Sequence, residues 1–342
     1  MNAPTTVDRD LVDMMSAVFA SHREQNEADG DVTSGEASLW NQLDELGLVR
    51  LTGPEESGGS GAGWFEAAEL IHAAAWHGVR IPLAEHDLLA GWLLDTAGLP
   101  TDTARRTVCL LDHNGTAVGV PWAARADKVV TAWRDADTYR IADVDVSSLI
   151  ITTATNAAGE PRDTVTTDTT VLSGTPVPDA VINQLLLRGA LIRGLQVCAA
   201  LDRILDLSIT HTTERVQFGR PLARFQAVQN LVADIAAEAA LARAATEAAL
   251  TEAVRTDWSG TKLDFLVAVA RSCAGHAASV VVRNAHQVHG AIGTTREHQL
   301  HEFTQPALAW RSEFGSVHSW DDKLTTAAVA AGREELWALI TA

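Results

Sequence analysis

The sequence predicts a mainly α protein with a small β domain in the middle of the chain. Apolar residues recur at helical spacing over residues 8–96, and long alanine-rich helical stretches return from residue 181. Between them, residues 106–178 hold short runs rich in Val, Ile and Thr, separated by turn-forming residues, as is typical of strands. We therefore expect an N-terminal helical domain (1–105), a short antiparallel β domain (106–179) and a C-terminal four-helix bundle (180–342).

The N-terminal part contains three predicted helices, "LVDMMSAVFASHREQ", "SLWNQLDELGLVRL" and "WFEAAELIHAAAWHG". In the second, Leu39, Leu43, Leu46 and Leu48 are expected to share one broad apolar face. "PEESGGSGAG" separates the last two helices and is too rich in glycine to continue either, so it predicts a loop.

The middle part contains five predicted strands, "RTVCLLD", "KVVTAWR", "TYRIADV", "SSLIITTA" and "DTTVLSG". After it, helices are predicted over 181–215, 224–255 and 262–290, with a last one at 333–342. Alanine is frequent in these helices because it favours helix formation and lets helices pack closely. This pattern is typical of a bundle.

Composition excludes some function classes. The chain has 44 acidic and 26 basic residues, a formal net charge of -18, which opposes general binding to nucleic acid or to an anionic membrane. An anionic ligand would therefore need a local cluster of donors.

The three cysteines, Cys109, Cys198 and Cys273, are far apart and have neither disulfide-framework nor zinc-site spacing. The first thirty residues do not have the pattern of a secretory signal, and no uninterrupted apolar run approaches the length of a membrane span. We expect a cytoplasmic, reduced protein that does not insert into a membrane.

The stretch "RVQFGRPL" places Arg215 and Arg220 on either side of an aromatic-glycine turn. Gly219 and Pro221 end one helix and the next begins near Leu222, so Arg215 and backbone N–H groups could bind a phosphate together. The alternative is a capped helix junction with solvated arginines.

The stretch "QVHGAIGTTREHQL" ends a long helix. Gln287 offers amide donors and an acceptor suited to an adenine edge, and Gly290, Ala291 and Gly293 are small enough for a ligand to approach the main chain. The alternative is a glycine-rich turn between two helices. The pattern is not a Rossmann fingerprint, because it follows a helix.

Taken together, "RVQFGRPLARFQAVQNLVADI" and "QVHGAIGTTREHQLHEF" resemble the C-terminal domain motifs of the acyl-CoA dehydrogenase family. "LWNQLDELGLVRLTGPEESGGSGAG" resembles the N-terminal domain of the same family. The order of helical, β and helical parts agrees as well, so the resemblance spans nearly the whole chain.

The resemblance implies the cofactor FAD, shared at a subunit interface, and an acyl-CoA substrate that is desaturated at its α,β bond. It implies that Arg215 pairs with the flavin pyrophosphate and that Gln217 bonds near it. The other residues implied to contact the ADP half of FAD are Phe218, Leu222, Phe225, Gln287, Gly290 and Ala291. Arg220 and Arg224 receive no role and are expected to be solvated.

The family's catalytic carboxylate is not found at either of its two usual positions. One position falls on Phe314 in "SEFGSVHSW", with Glu313 one residue earlier, and the other falls on Gly189. A shift of one residue turns a helical side chain by about 100°, so Glu313 is expected to be structural or solvated. No catalytic residue is assigned.

The β domain also departs from family members that hold their own flavin ring. The region "AVGVPWAARADKVVTAW" lacks their flavin loop, and "VPWAARADKVV" and "PALAWRSEFGSVHSW" are similar to partner chains of heteromeric bacterial members. Some of those members act on CoA thioesters of steroid side chains. The resemblance thus implies a base-lacking subunit that works with a homologous catalytic subunit in a heterotetramer.

Four histidines cluster near the glycine turn: His286, His289, His298 and His301. Zinc needs three or four converging ligands, and the turn from Gly290 to Gly293 is expected to keep these side chains apart, so no metal site is predicted.

Two alternatives to a base-lacking enzyme subunit stay open. One is a self-sufficient dehydrogenase in which a displaced carboxylate such as Glu313 is the base. The other is a pseudo-enzyme or assembly module that keeps the fold without redox chemistry.

Overall fold

The computed structural model describes residues 7–29 and 32–341. The chain divides into two compact units, Met1–Gly189 and Ala190–Ala342. The helices of the first unit are α1 (Arg9–Asp29), α2 (Val32–Glu45), α3 (Trp64–Trp76) and α4 (Trp92–Ala97), and α5 (Asp179–Glu214) continues into the second unit.

The three predicted N-terminal helices are confirmed, and α2 ends earlier than expected. Gly47 has φ 70°, a conformation that glycine adopts without strain, and it turns the chain out of the helix. Leu39, Leu43 and Leu48 are buried, but Leu46 is 45% exposed, so the prediction that all four leucines share the buried face was wrong for Leu46.

A π-helical turn, Glu85–Gly91, precedes α4 and is buried along its whole length. It carries His86 and Asp87 into the interior of the first unit. Asp87 accepts hydrogen bonds from the backbone N–H and the hydroxyl of Thr52, at 2.9 and 3.0 Å, and from Arg50 at 3.2 Å. These bonds compensate part of the cost of burying a carboxylate.

The β domain contains two sheets. The first has the order β1-β3-β4-β7 and the second β2-β6-β5. Their strands are β1 (Arg106–Leu110), β2 (Thr116–Pro121), β3 (Lys128–Asp135), β4 (Thr138–Asp145), β5 (Ile150–Thr152), β6 (Arg162–Thr166) and β7 (Thr175–Val177).

Two features of this domain differ from the prediction. β1 and β3 pair in parallel, because β2 between them crosses to the other sheet, so the domain is not wholly antiparallel. The run "DTTVLSG" contains a 3-10 turn, Thr169–Val171, rather than a strand, while β2, β6 and β7 were not predicted. The apolar core of the domain includes Val129, Trp133 and Val165.

The second unit consists mainly of helices. The remaining helices are α6 (Gln226–Arg255), α7 (Thr261–His289), α8 (His301–Trp310) and α9 (Val317–Thr341), which is kinked at Gly332. α6 packs along α7, and Ala242, Ala249, Ala270 and Ala277 are fully buried, as expected of closely packed helices. α8 and the first half of α9 were not predicted.

Two of the helices, α5 and the segment Thr261–Thr294, are long and apolar enough to cross a membrane by length and composition. Their most apolar windows are 72% and 56% buried inside the protein, as in core helices of bundles, so this evidence for a membrane span is weak. The three cysteines are free.

Candidate functional site

The stretch after α5 forms a small hairpin. β8 (Val216–Gln217) pairs antiparallel with β9 (Arg220–Pro221), and the two residues between them, Phe218 and Gly219, have φ of 52° and 78°. Two successive residues at positive φ are the usual connection of a two-residue hairpin. The turn was predicted, but the hairpin was not.

Arg215 lies at the base of this hairpin. Its backbone is held on both sides, since its N–H donates to the His211 carbonyl and its own carbonyl accepts from the Leu222 N–H, each at 2.9 Å. The side chain is exposed, and its guanidinium makes no hydrogen bond or ion pair with any residue in 7–29 or 32–341. A positive group is therefore presented to solvent from a fixed backbone.

The hairpin presents aromatic surface beside this arginine. Phe218 is 91% exposed and meets the half-buried Phe225 edge to face, with ring centroids 6.2 Å apart. Gln217 is exposed and Leu222 is half-buried. Burying such an aromatic side chain against a ligand or a second chain is favourable.

The two neighbouring arginines differ from each other. Arg220 is exposed, as expected, and its guanidinium also lies 4.2 Å from the Phe225 ring centroid, a cation–π contact that was not predicted. Arg224 is exposed, as expected.

The second predicted stretch lies at the end of α7. Gln287, Gly290 and Ala291 are exposed, and a 3-10 turn covers Gly290–Thr294. Gly290 has φ 63° and ψ -141°, a backbone conformation that side chains disfavour, while a Cβ there would meet no atom within 4 Å. Glycine is required here by the backbone, and the space above it is open.

The fold brings these two stretches together. His211, one turn before Arg215, stacks on His289, the residue before Gly290, with ring centroids 4.5 Å apart and an interplanar angle of 21°. The sequence reasoning had not selected His211. The two stretches together carry a cation, aromatic rings, an amide and an open glycine backbone, which are groups that can bind phosphate and stack on a base.

The other glycine of the turn is required by packing. A Cβ on Gly293 would lie 2.7 Å from the Cβ of His289 and 3.2 Å from Cδ2 of Leu300. We expect Gly293→Ala to lower the free energy of unfolding by about 1–3 kcal/mol through overpacking, measured by urea unfolding. The exposed neighbour gives the control, since Ala291→Ser should stay within about 0.5 kcal/mol of wild type. An unchanged stability of Gly293→Ala would mean that the turn is looser than the structure has it.

Neither expected base position carries a free carboxylate. Gly189 is buried, and Phe314, with φ 56°, places its ring near Arg193. Glu313 is bound to the Nε of Arg193 at 2.6 Å, and the Arg193 side chain is only 1% exposed. The carboxylate thus stabilises a buried cation, in agreement with the structural role expected for it.

A second buried arginine, Arg271, also bonds this segment. Nη2 of Arg271 donates to the carbonyls of Trp310, Arg311 and Glu313 at 3.1, 2.9 and 2.9 Å. Burial and the nearby Arg193 lower the pKa of Arg271 to about 10. Sequence reasoning missed both arginines, although an arginine inside the apolar run "GALIRGLQV" is a signal for a buried, paired charge.

The expected separation of the histidines by the turn was wrong. His289 and His298 approach each other, with ring centroids 4.8 Å apart, and His211 joins them from α5. His286 and His301 do not belong to this group of three.

Comparison with known proteins agrees with this architecture. The family described as "Acyl-CoA dehydrogenase, N-terminal domain" matches residues 5–105, and "Acyl-CoA dehydrogenase, C-terminal domain" matches residues 180–317. These two matches, together with the order of helical, β and helical parts, place the chain in the oxidoreductase class. The chain belongs to the acyl-CoA dehydrogenase family, whose members are generally FAD-dependent.

Among curated proteins, the chain is similar to the acyl-CoA dehydrogenase IpdE2 from two organisms. The identity is 29% with that of Mycobacterium tuberculosis, covering 79% of this chain and 80% of the relative. It is 26% with that of Mycolicibacterium smegmatis, covering 77% and 79%.

Among solved structures, the fold is similar to a chain of the ChsE4-ChsE5 complex from Mycobacterium tuberculosis. The TM-score is 0.80 at 20% identity, covering 97% of this chain and 100% of that one. A variant of the Tcur3481-Tcur3483 steroid ACAD gives 0.81 at 21% identity, covering 94% and 98%. Butyryl-CoA dehydrogenase from Megasphaera elsdenii gives 0.76 at 16% identity, covering 96% and 100%. At these identities the likeness establishes the fold.

Proposed function

We propose that this chain is a subunit of a flavin-dependent acyl-CoA dehydrogenase that lends the ADP-binding surface to an FAD held by a homologous catalytic partner. The observation that carries the proposal is the exposed Arg215 without a bonding partner in the described residues, at the base of a hairpin whose Phe218 is 91% exposed. In a chain of formal net charge -18, a cation presented in this way suits a phosphate.

The proposed contacts follow from the chemistry of each side chain. Arg215 would pair with the pyrophosphate and Gln217 would bond beside it, while Phe218, Leu222 and Phe225 would pack on the adenosine. Gln287 would bond the adenine edge, and the open backbone at Gly290 and Ala291 would let the nucleotide approach. The bound flavin would supply a hydride acceptor, and these residues would hold and orient it.

The state of Glu313 supports a catalytic partner. α,β-Desaturation of an acyl-CoA requires a base that removes the proton next to the thioester carbonyl, and that base needs a free carboxylate near the substrate. Here Glu313 pairs with buried Arg193, and neither Phe314 nor Gly189 can accept a proton. A homologous subunit with the glutamate in place would complete the site.

Exposed apolar side chains support assembly with another chain. After the kink at Gly332, α9 exposes Leu336, Trp337 and Ile340 by 38%, 74% and 59%. Large exposed apolar side chains grouped on one helix are typical of interfaces. The ChsE4-ChsE5 structure is described as a complex, and the Tcur3481-Tcur3483 structure is named after two chains. The assembly we propose is a heterotetramer with one homologous partner.

The substrate class that we propose is a bulky acyl-CoA such as a steroid side-chain thioester. One structural relative is described as a steroid ACAD, and the similarity to it extends over 94% of this chain. We propose a cytoplasmic location for the complex.

The test is the visible absorbance of the purified protein, alone and after co-expression with a homologue that carries the glutamate base and the flavin loop. A colourless chain that becomes yellow in the complex, with dehydrogenase activity only in the complex, is the expected result. A yellow chain alone would favour the self-sufficient enzyme. Absence of flavin from both preparations would favour the non-redox assembly module.

Within that complex, we expect Arg215→Ala to weaken flavin binding about 10- to 100-fold, since a charge-assisted hydrogen bond is lost. Flavin retained after gel filtration and the Kd for added FAD measure the effect. Arg224→Ala is the matched control, because Arg224 is also exposed, nine residues further along, and should leave the Kd within about twofold. Equal losses in both variants would mean that only general charge matters.

A further inference from the structure

We propose that His211, His289 and His298 form a binding site for a divalent transition-metal ion in the second unit. One ligand nitrogen from each imidazole lies within 4.8 Å of the others. The side chains come from the last turn of α5, the end of α7 and the segment before α8. The proposal concerns the unit by itself and does not depend on flavin.

His289 is prepared as a ligand. It is 5% exposed, and its Nδ1 donates to the Ala285 carbonyl at 2.8 Å, which places its proton on Nδ1. Nε2 therefore carries a lone pair, and this atom is buried without a hydrogen-bond partner among the described residues. A histidine whose Nδ1–H bonds a backbone carbonyl while Nε2 is free has the arrangement usual for metal ligands.

His211 and His298 provide the second and third ligands of the site. The His211 ring stacks on His289 at 4.5 Å, and the His298 ring meets His289 at 4.8 Å and His211 at 6.0 Å between centroids. Around one zinc ion with Zn–N bonds of about 2.0–2.1 Å, tetrahedral nitrogens lie about 3.3 Å apart. Rotations that move the nitrogens inward by about 1 Å would close the site. Both His211 and His298 are half-buried, so neither ring is fully enclosed.

His298 must exchange one bond to coordinate. Its Nδ1 accepts the Leu300 N–H at 3.1 Å, so its proton lies on Nε2 in the metal-free protein. Coordination through Nε2 moves that proton to Nδ1 and opens the Leu300 contact, with no net loss of a proton. The backbone of His298 stays in place, because its carbonyl accepts from Nδ1 of His301 at 2.8 Å.

Metal binds the neutral form of an imidazole, and the geometry of the three rings, rather than their titration, carries the proposal. Burial lowers the pKa of all three, and for His289 it lowers it to about 4. The charged and titratable neighbours are Arg215 and Glu214 beside His211, His286 beside His289 and His301 beside His298.

The donor set selects the kind of ion. Three neutral imidazoles favour Zn²⁺, Cu²⁺, Ni²⁺ or Co²⁺ over Mg²⁺ and Ca²⁺, which prefer oxygen ligands. Three protein nitrogens also leave a coordination position for water or another ligand. Such an ion would join the end of α5 to the end of α7.

The experiment is equilibrium dialysis of the chelator-treated full chain against Zn²⁺, with metal analysis and thermal unfolding. The expected result is one bound Zn²⁺ per chain and a higher Tm with metal. His211→Gln and His298→Gln should each weaken binding by more than about 100-fold, beyond the loss typical of changes around a site, and remove the gain in Tm. His289→Gln is avoided, because its burial makes misfolding a competing explanation.

The controls test adventitious surface binding. His276 and His318 each lie beside a carboxylate, Asp321 at 3.0 Å and Asp322 at 3.3 Å, on an exposed surface. His276→Gln and His318→Gln should bind Zn²⁺ as wild type does. No tight Zn²⁺ binding, binding that persists in His211→Gln and His298→Gln, or binding lost in the control variants instead would each overturn the proposal.

Discussion

Glu313→Ala is expected to lower the free energy of unfolding by about 3–5 kcal/mol, the usual effect of removing one partner of a buried ion pair. Arg193 is 1% exposed and loses the carboxylate that contacts its Nε at 2.6 Å. The change also removes the negative charge that partly opposes the lowering of the Arg271 pKa by burial and by Arg193. Two buried cations would then lie close together without this carboxylate. Chemical unfolding by urea measures the effect.

Two further variants test whether the lost ion pair causes the lower stability. Glu313→Gln keeps a hydrogen-bond acceptor and the shape of the side chain, so its cost should be smaller than that of alanine. Glu297→Ala removes an exposed carboxylate from the same unit and should stay within about 0.5 kcal/mol of wild type. If Glu313→Ala were as stable as Glu297→Ala, the ion pair would not stabilise the fold.

The same variants separate structure from catalysis. A general base that is replaced by glutamine loses turnover while the fold keeps its stability, because only the proton acceptor is removed. We expect the reverse for Glu313, a loss of stability with flavin binding and turnover of the folded complex retained. Lost turnover at full stability would make this chain the self-sufficient enzyme and would contradict the proposed partner.

The helices were predictable because their signal is long and local. α5, α6 and α7 each have 29 or more residues with sustained helical spacing and frequent alanine, so tertiary contacts did not need to be known. Short strands carry a weaker signal. β7, which was not predicted, has three residues, and in so short a segment the alternation of side chains cannot be told from a loop.

The sequence predicted the local motifs of the candidate site but not the contacts between residues far apart in the chain. Arg215 and Gln287 were selected from motifs, whereas the stacking of His211 on His289 is a contact between residues 78 positions apart. No local pattern encodes such a contact. The pairing of Arg193 with Glu313 has the same character, because a sequence shows which residues are charged but not which charges meet.

The last prediction is that the buried His86 of the first unit makes the fold less stable at acidic pH. Its Nδ1 accepts the Arg106 backbone N–H at 3.0 Å, and its ring meets Trp40 edge to face at 5.3 Å. Burial, with the charges of Arg50 and Arg106, lowers its pKa from 6.5 to about 3. Between these values the unfolded chain binds a proton that the folded chain does not. The contribution of neutral His86 to the free energy of unfolding is therefore fully present above pH 6.5 and decreases as the pH falls below that value.

Below pH 6.5 the free energy of unfolding should approach a decrease of about 1.4 kcal/mol per pH unit, which amounts to about 2 kcal/mol lost between pH 6.5 and 5. Urea unfolding followed over that range measures it, above the region where most carboxylates titrate. His86→Gln keeps an acceptor for the Arg106 N–H and cannot ionise, so its curve should lack this slope whatever its stability at pH 7.5. His113→Gln, at an exposed histidine of the same unit, should keep the wild-type slope. Equal slopes in wild type and His86→Gln would assign the acid sensitivity to another group, because every other titrating residue is common to both proteins.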